Sequence, residues 1–389
     1  MELLALAPSP IVEIAKLAFE TPGADLLCFG ESDQPSPASA RTALTAALDA
    51  GVTRYADVRG IAPLRIALAR YLSALHARPV DEARVQVTGS GMAALNVALA
   101  AVVRAGERVI VHAPIWPNIP NLVRLRGAEL DMIALEPLPD GTFRLDPERL
   151  EARLAGARAF VLNSPNNPTG WTATHAELAA ILDICRRHHV WLLADEVYSR
   201  LTYDGTPAAP SVLDVAGPDD RVMVANSFSK AWAMTGWRLG WLVVPEGARE
   251  RVTEIVEITH SSVAPFIQHG GVAAIADAAF LAGFRDLCTR GRALVGEGLA
   301  GLPGIRYAPP AGAFYGFVGI EGLTDSMALA RRLLREHLVA VAPGSAFGPG
   351  GEGHLRLCFA QGEERLRRAI QRLRDGLAAW RPAPARAAA

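Results

Sequence analysis

The sequence predicts an α/β protein: a large domain with a mainly parallel seven-stranded sheet covered by helices, plus a smaller α/β domain. Three observations predict it. The chain has 389 residues, beyond the roughly 250–300 at which one hydrophobic core stops growing, so two lobes are expected. Residues 85–245 alternate short apolar runs with helical patterns, and continuous apolar strands divided by helices belong to a parallel sheet covered on both faces. Half the residues are hydrophobic and a fifth (20%) are charged, which suits a soluble globular protein with a large interior.

The apolar runs, in order, are 85–88 (VQVT), 108–112 (RVIVH), 129–134 (ELDMIA), 159–163 (AFVLN), 190–194 (VWLLA), 222–226 (VMVAN) and 238–244 (RLGWLVV). Segments such as 91–104 and 174–188 carry the helical pattern between them. From 246 to about 290 the chain reads as helical with a break near Pro265. The remainder reads as the smaller lobe, with strands at Phe314–Gly319 and Leu355–Phe359 and helices at 326–337 and 363–379. The loop Pro343–Gly353 precedes a strand instead of opening a helix, so a flexible connection is expected there and not a phosphate cradle. The large domain is expected over 46–285, and the small domain over 1–45 and 286–389, with the tail RPAPARAAA loosely held.

A formal net charge of −1 gives no electrostatic case for nucleic acid or an anionic membrane. The four cysteines, Cys28, Cys185, Cys288 and Cys358, form no CxxC pair, which points to free thiols in a reducing compartment. The N-terminal stretch lacks a basic n-region and is interrupted by Glu2 and Glu13, so no secretory leader is expected, and no stretch resembles a bilayer span. A cytoplasmic location follows as the expectation. Cys185, His188 and His189 share a side of the 174–188 helix, but a helix terminus facing a strand explains them, and no metal site is expected. HExxH and GxSxG are both absent.

Of the 39 basic residues only Lys16 and Lys230 are lysines. Arginine replaces lysine readily on surfaces but not where an amine must act as a nucleophile, because guanidinium stays protonated. Lys230 sits in SFSKAWAMTGWRLG (227–240), with Ser227, Ser229 and Arg238 and many apolar neighbours. Burial there favours the neutral amine and imine formation, while two hydroxyls and a guanidinium suit a phosphate. The bland alternative is a surface loop whose lysine pairs with an acid. Gly89-Ser90-Gly91-Met92 lies between strand 85–88 and a helix, where unpaired N–H groups meet an anion. Its string GSGMAA also fits a dinucleotide pattern, but the next strand ends in His112-Ala113-Pro114 and not in the acid that reading needs.

Two more loops close strands. Asn163–Gly170 (NSPNNPTG) makes a rigid turn able to fix an amide side chain. Asp195, at the head of DEVY, is equally well a buried partner for a cation or a helix cap.

Taken together, GSGMAAL, WPN, NSPNNPTG, ADEVY, SFSKxxxxxGWRLG and the late HLRLCFA resemble the class I/II aminotransferases of pyridoxal-phosphate (PLP) fold type I, from about Gly30 to Phe359. The resemblance implies that Lys230 carries pyridoxal 5'-phosphate as a Schiff base and then shuttles the substrate α-proton. It implies that Asp195 pairs with the pyridine nitrogen, that Asn167 and Tyr198 bond the ring's phenolic oxygen, and that Trp116 stacks on the ring. Ser90, Gly91, Met92, Ser227 and Arg238 would hold the phosphate. Arg356 would receive the substrate α-carboxylate and Gly30 would line the entrance. Tyr55, in YADVRGIAPLR with Gly60 and Arg65, resembles a tyrosine that reaches the neighbouring subunit's phosphate, which implies a homodimer.

The implied reaction moves an amino group from an L-amino acid to a 2-oxo acid by a ping-pong route through the pyridoxamine form. The chain departs from the family pattern in two places. Ser32 stands where GEPD has proline, and 252–284 contains no Lys or Arg, a region from which aspartate-specific relatives supply a side-chain-binding arginine. Strong aspartate preference is therefore not expected. The rival readings are a C–S lyase or cyclase on the same scaffold, and a non-catalytic ligand-binding or regulatory module.

Overall fold

A computed structural model of the chain describes residues 10–380. The expectation of a loosely held tail falls on residues outside that range, as does Glu2 of the leader argument. The seven apolar runs form one sheet, in the order Val85–Thr88, Gly240–Val243, Val222–Ser227, Trp191–Asp195, Ala159–Asn163, Arg108–Ala113 and Glu129–Ala134. Six strands run parallel. Gly240–Val243 is antiparallel to both of its neighbours, which its short return from Ser227 requires. Every residue from Val222 to Ser227 is buried, as are those of Ala159–Asn163, because helices cover both faces.

The helix Gly91–Val102 begins directly after the first strand, with Ser90 as its N-cap accepting from the Ala93 N–H at 3.0 Å. The helical stretch after 246 resolves into Arg249–His260, Pro265–Ala276 and Ala278–Leu299. Its first break falls at Ser261 (φ 57°), and Pro265 opens the next helix at a position where its missing N–H costs nothing. Among the described residues no helix is long and apolar enough to cross a membrane.

The C-terminal part forms a four-stranded antiparallel sheet, ordered Ile305–Arg306, Tyr315–Ile320, His354–Cys358 and Ala342–Pro343, with helices Ser326–His337 and Glu363–Ala379. Period-two alternation did not signal the two-residue strands, which are too short to show it. The Pro343–Gly353 loop, expected as a flexible connection, is packed down. Phe347 is buried, and its carbonyl accepts from the Ile115 N–H at 2.9 Å.

The N-terminal segment joins this part. Asp25–Leu26 pairs in parallel with Val339–Ala340, and the Cys358 N–H donates to the Leu27 carbonyl at 2.9 Å. Asp25 is 2% exposed, yet Arg368 and Arg372 reach its carboxylate at 2.7 and 2.8 Å. Charge-assisted bonds of this kind offset the cost of burying the acid. They anchor the residues leading into Phe29–Glu31, one wall of the site.

Candidate active site

A cavity of about 330 Å3 opens at the carboxyl ends of the parallel strands, where such sheets bind ligands. Strand ends and the turns after them supply its lining: Ser90, Gly91 and Met92 after Val85–Thr88, Trp116 after Arg108–Ala113, and Asn163 and Asn167 around the end of Ala159–Asn163. Asp195 and Tyr198 come from the end of Trp191–Asp195, and Ser227, Ser229 and Lys230 from the end of Val222–Ser227. Gly30 closes the wall opposite.

Lys230 Nζ donates to the Gly30 carbonyl at 2.7 Å and lies 5.7 and 5.8 Å from the Tyr198 and Phe314 ring centroids. It has no carboxylate partner among the described residues, so the surface-loop alternative does not describe it. Burial, with the nearby Arg356 guanidinium, draws the amine down to about 8, although Cys358, Glu31 and Asp195 pull the other way. A useful fraction is then neutral near physiological pH, as a nucleophilic amine requires. A side chain at position 30 would collide with the Tyr315 hydroxyl and stand 3.7 Å from the lysine nitrogen. Glycine is what leaves room there.

Asp195 ends its strand and is 6% exposed. Its Oδ1 accepts only a long 3.3 Å bond, from the Val197 N–H, and no helix follows, so the helix-cap alternative falls away. Burial pushes its carboxyl up to about 7, against the pull of the Val197 N–H and Lys230. Glu196 is also raised to about 7 by burial, but it turns away and accepts from Ser211 Oγ at 2.6 Å and the Val212 N–H at 2.8 Å. Asp195 is thus a buried acid lacking a strong partner, poised to accept a cationic N–H.

That state predicts a measurable pH dependence of the protein without bound ligands. Between pH about 4 and 7 the folded Asp195 holds more proton than its unfolded counterpart, so its contribution to stability falls as pH rises. Asp195→Asn removes this penalty and leaves that of Glu196 in place. Denaturant unfolding should show the Asn variant gaining on the parent from pH 4 to 7, then levelling. A pH-independent difference would mean that Asp195 is not raised.

The loop after the first strand offers an anion cradle. The Gly91–Val102 helix points its N-terminus into the cavity beside Ser90 and Ser227. A Cβ at Gly240 would press to 2.7 Å on the Ser90 carbonyl carbon and 2.9 Å on the Gly91 nitrogen, so glycine there lets the strand pass behind the cradle. Arg238 holds φ 56° in the left-handed region, which costs a non-glycine residue on the order of 1 kcal/mol or more. Its Nη1 donates to the Thr235 carbonyl at 2.6 Å, and it pairs with no acid among the described residues.

Two expected residues do not line the cavity. Arg356 lies behind its wall, fully buried in the centre of the C-terminal sheet. Nη1 donates to Asn167 Oδ1 at 3.2 Å, Nη2 donates to the Cys28 carbonyl, and the guanidinium lies 4.4 Å from the Tyr315 ring centroid. Nε has no partner. No carboxylate of the described residues neutralises this charge. Tyr55 is 93% exposed and does not line the cavity.

Sequence reasoning passed over Tyr315, whose hydroxyl lies 2.8 Å from that of Tyr198. It also passed over Phe29, Glu31, Asn118, Asn163 and Thr235 as wall residues. The aromatic run Phe314-Tyr315 was visible as a strand, but nothing in it shows which ring faces the site.

Residues 25–373 match the family described as aminotransferase class I and II. The chain is 35% identical to the arginine–pyruvate transaminase of Pseudomonas aeruginosa, over 90% of this chain and 88% of the other. It is 34% identical to the aspartate/prephenate aminotransferase of Thermus thermophilus, over 95% and 96%. An aminotransferase structure from Mycobacterium tuberculosis superposes with a TM-score of 0.91 at 30% identity, covering 98% of this chain and 100% of that one.

Proposed function

Because the chain belongs to the class I and II aminotransferases, we propose that it moves an amino group from an L-amino acid to a 2-oxo acid in two successive half-reactions, with pyridoxal phosphate held on Lys230. The observation that carries the reading is one pair of groups: a lysine amine lowered to about 8 in the cavity and, behind its wall, a buried guanidinium that holds the cavity residue Asn167 and has no acid among the described residues to neutralise it.

The residues present fit pyridoxal phosphate. The helix N-terminus at Gly91, with Ser90, Ser227 and the unpaired Arg238, matches a phosphate. Asp195 suits a protonated ring nitrogen, Asn167 and Tyr198 suit the phenolic oxygen, and Trp116 supplies an aromatic face. When bound, the cofactor supplies the electron sink that makes the substrate Cα–H bond acidic. The chain does the rest. Lys230 Nζ would hold the cofactor and, as a free amine, would move the proton at the substrate α-carbon. Asp195, raised to about 7 by burial, would keep the ring nitrogen positive, and that cation would in turn favour its carboxylate form. Arg356, behind the wall, would fix the α-carboxylate and so align the bond to be broken once it exchanges its bonds to Asn167 and the Cys28 carbonyl for the substrate. Gly30 leaves the entrance open beside Lys230.

We assign the exposed Tyr55 to the phosphate site of a second copy, which makes the working unit a homodimer. All four cysteines are free and buried, which supports a reducing cytoplasm. Small amino and oxo acids are the partners; the charge balance supports neither nucleic acid nor membrane.

Purified protein should be yellow, and an amino donor should bleach that colour while one equivalent of 2-oxo acid appears. Borohydride should fix one cofactor to the peptide carrying Lys230. No label on that peptide would sink the reading. Pyruvate and ammonia formed without an acceptor would instead identify a lyase.

A further inference from the structure

The strand Arg108–Ala113 carries, one residue before its end, a histidine that the scheme above does not use. His112 is fully buried, and its Nε2 accepts the backbone N–H of Asn163 at 2.9 Å. Its Nδ1 has no partner. The ring packs edge-on to Trp171, with centroids 5.7 Å apart. A buried imidazole with an orphaned N–H is an expensive way to fill space, and an aliphatic side chain would avoid the cost. Something must offset it.

What it offsets is a gap in the sheet. The strands Arg108–Ala113 and Ala159–Asn163 pair as far as Val111 with Val161. Beyond that the chain turns away at Ala113-Pro114, and the Ala113 carbonyl is taken by the Leu135 N–H at 2.6 Å. The Asn163 N–H is left without a ladder acceptor at the point where the strand enters the cavity. The His112 side chain supplies one.

Asn163 is the hub of the cofactor side of the site. Its Oδ1 accepts from the Asn167 N–H at 2.9 Å and from Asn166 Nδ2 at 3.2 Å, and its Nδ2 donates to the Asp195 carbonyl at 3.1 Å. Asn167 in turn receives Arg356 at Oδ1. One side chain thus ties together the residues assigned to the phenolic oxygen, the ring nitrogen and the substrate carboxylate.

We propose that His112 is a positioning residue for transamination: its Nε2 pins the Asn163 backbone, and through it sets Asn167 and Asp195 against the cofactor ring. The proposal rests on the functional reading above. The role requires the proton on Nδ1 and a bare Nε2. Burial keeps the ring neutral by lowering it to about 4, so the anchor persists at every pH at which the enzyme would work. Among the described residues no acid pairs with the ring; its polar partner is the Asn163 N–H and its aromatic neighbour is Trp171.

The test uses His112→Phe, which keeps a ring against Trp171 but removes the acceptor, and His112→Gln, whose amide oxygen falls near the Nε2 position. In His112→Phe, hydrogen exchange of the peptide spanning Asn163 should quicken roughly 10-fold in the apoprotein. In the cofactor-loaded protein, the pH midpoint of the visible absorbance change should move by about half a unit or more, as the bond from Asn167 loosens. kcat should fall roughly 10-fold with KM held within about 2-fold. His112→Gln should restore all three. A wild-type absorbance midpoint and kcat in His112→Phe would overturn the proposal, even with faster exchange. If neither variant folds, nitrogen-15 chemical shifts of the wild-type imidazole decide it, since a protonated Nε2 cannot accept and would end the argument. The exchange and imidazole measurements need no cofactor, so they stand apart from failure of the functional reading.

Discussion

Lys230→Ala should lower kcat for transamination by about 10²–10⁴-fold or more, because one substitution removes both the covalent anchor and the group that carries the α-proton. Lys230→Arg should be as inactive, although it keeps a cation of similar reach, since a guanidinium neither forms the bond nor gives up its proton. Lys16, the other lysine, is exposed on the helix Pro10–Phe19, and Lys16→Ala should leave the rate within about 2-fold. Loss of colour is the wrong readout for Lys230→Ala, because the helix N-terminus, Ser227 and Arg238 can retain the cofactor through its phosphate. Single-turnover kinetics with a saturating donor is the right one. A small primary amine added to Lys230→Ala should restore part of the rate, whereas a collapsed site would not respond. Wild-type turnover in Lys230→Ala would remove the lysine from the chemistry.

The residues assigned to this chemistry were readable because they sit in strand-end loops, where a short sequence fixes both the turn and the side chain it presents. SFSK and ADEVY place Lys230 four positions and Asp195 one position past an apolar run, and their strands are neighbours in the sheet, which brings the two together. The order itself was not readable. Apolar alternation says that 240–243 is a strand, but not that it runs antiparallel between Val85–Thr88 and Val222–Ser227. The same limit hid Tyr315, since its selection as the ring beneath Arg356 depends on register with His354–Cys358. His112 was noticed only for not being an acid. Its value lies in a bond to a backbone 51 positions away, and no local pattern encodes such a bond.

Arg356→Met should lower kcat/KM for amino acids by roughly 30- to 4,000-fold, the range expected when a desolvated charge loses its partner at about 2–5 kcal/mol. The same substitution should change the stability of the ligand-free protein little. The two effects part because the arginine is fully buried and, among the described residues, has no acid beside it and no partner for Nε. Its charge is a burden to the fold until a carboxylate arrives. Methionine keeps most of the aliphatic stem against Tyr315 and Phe347. Arg356→Lys retains the charge but not the planar fork, and should fall between the parent and Arg356→Met. A primary amine lacking an α-carboxylate makes the strictest control, because it cannot use the fork. The parent should process it poorly, and Arg356→Met should process it no worse. If the variant instead unfolds several kcal/mol more easily, or loses amine and amino acid turnover in equal measure, Arg356 is a structural arginine bridging Asn167 and Cys28. Unchanged stability with a loss confined to carboxylate-bearing donors would identify it as the residue that holds the substrate.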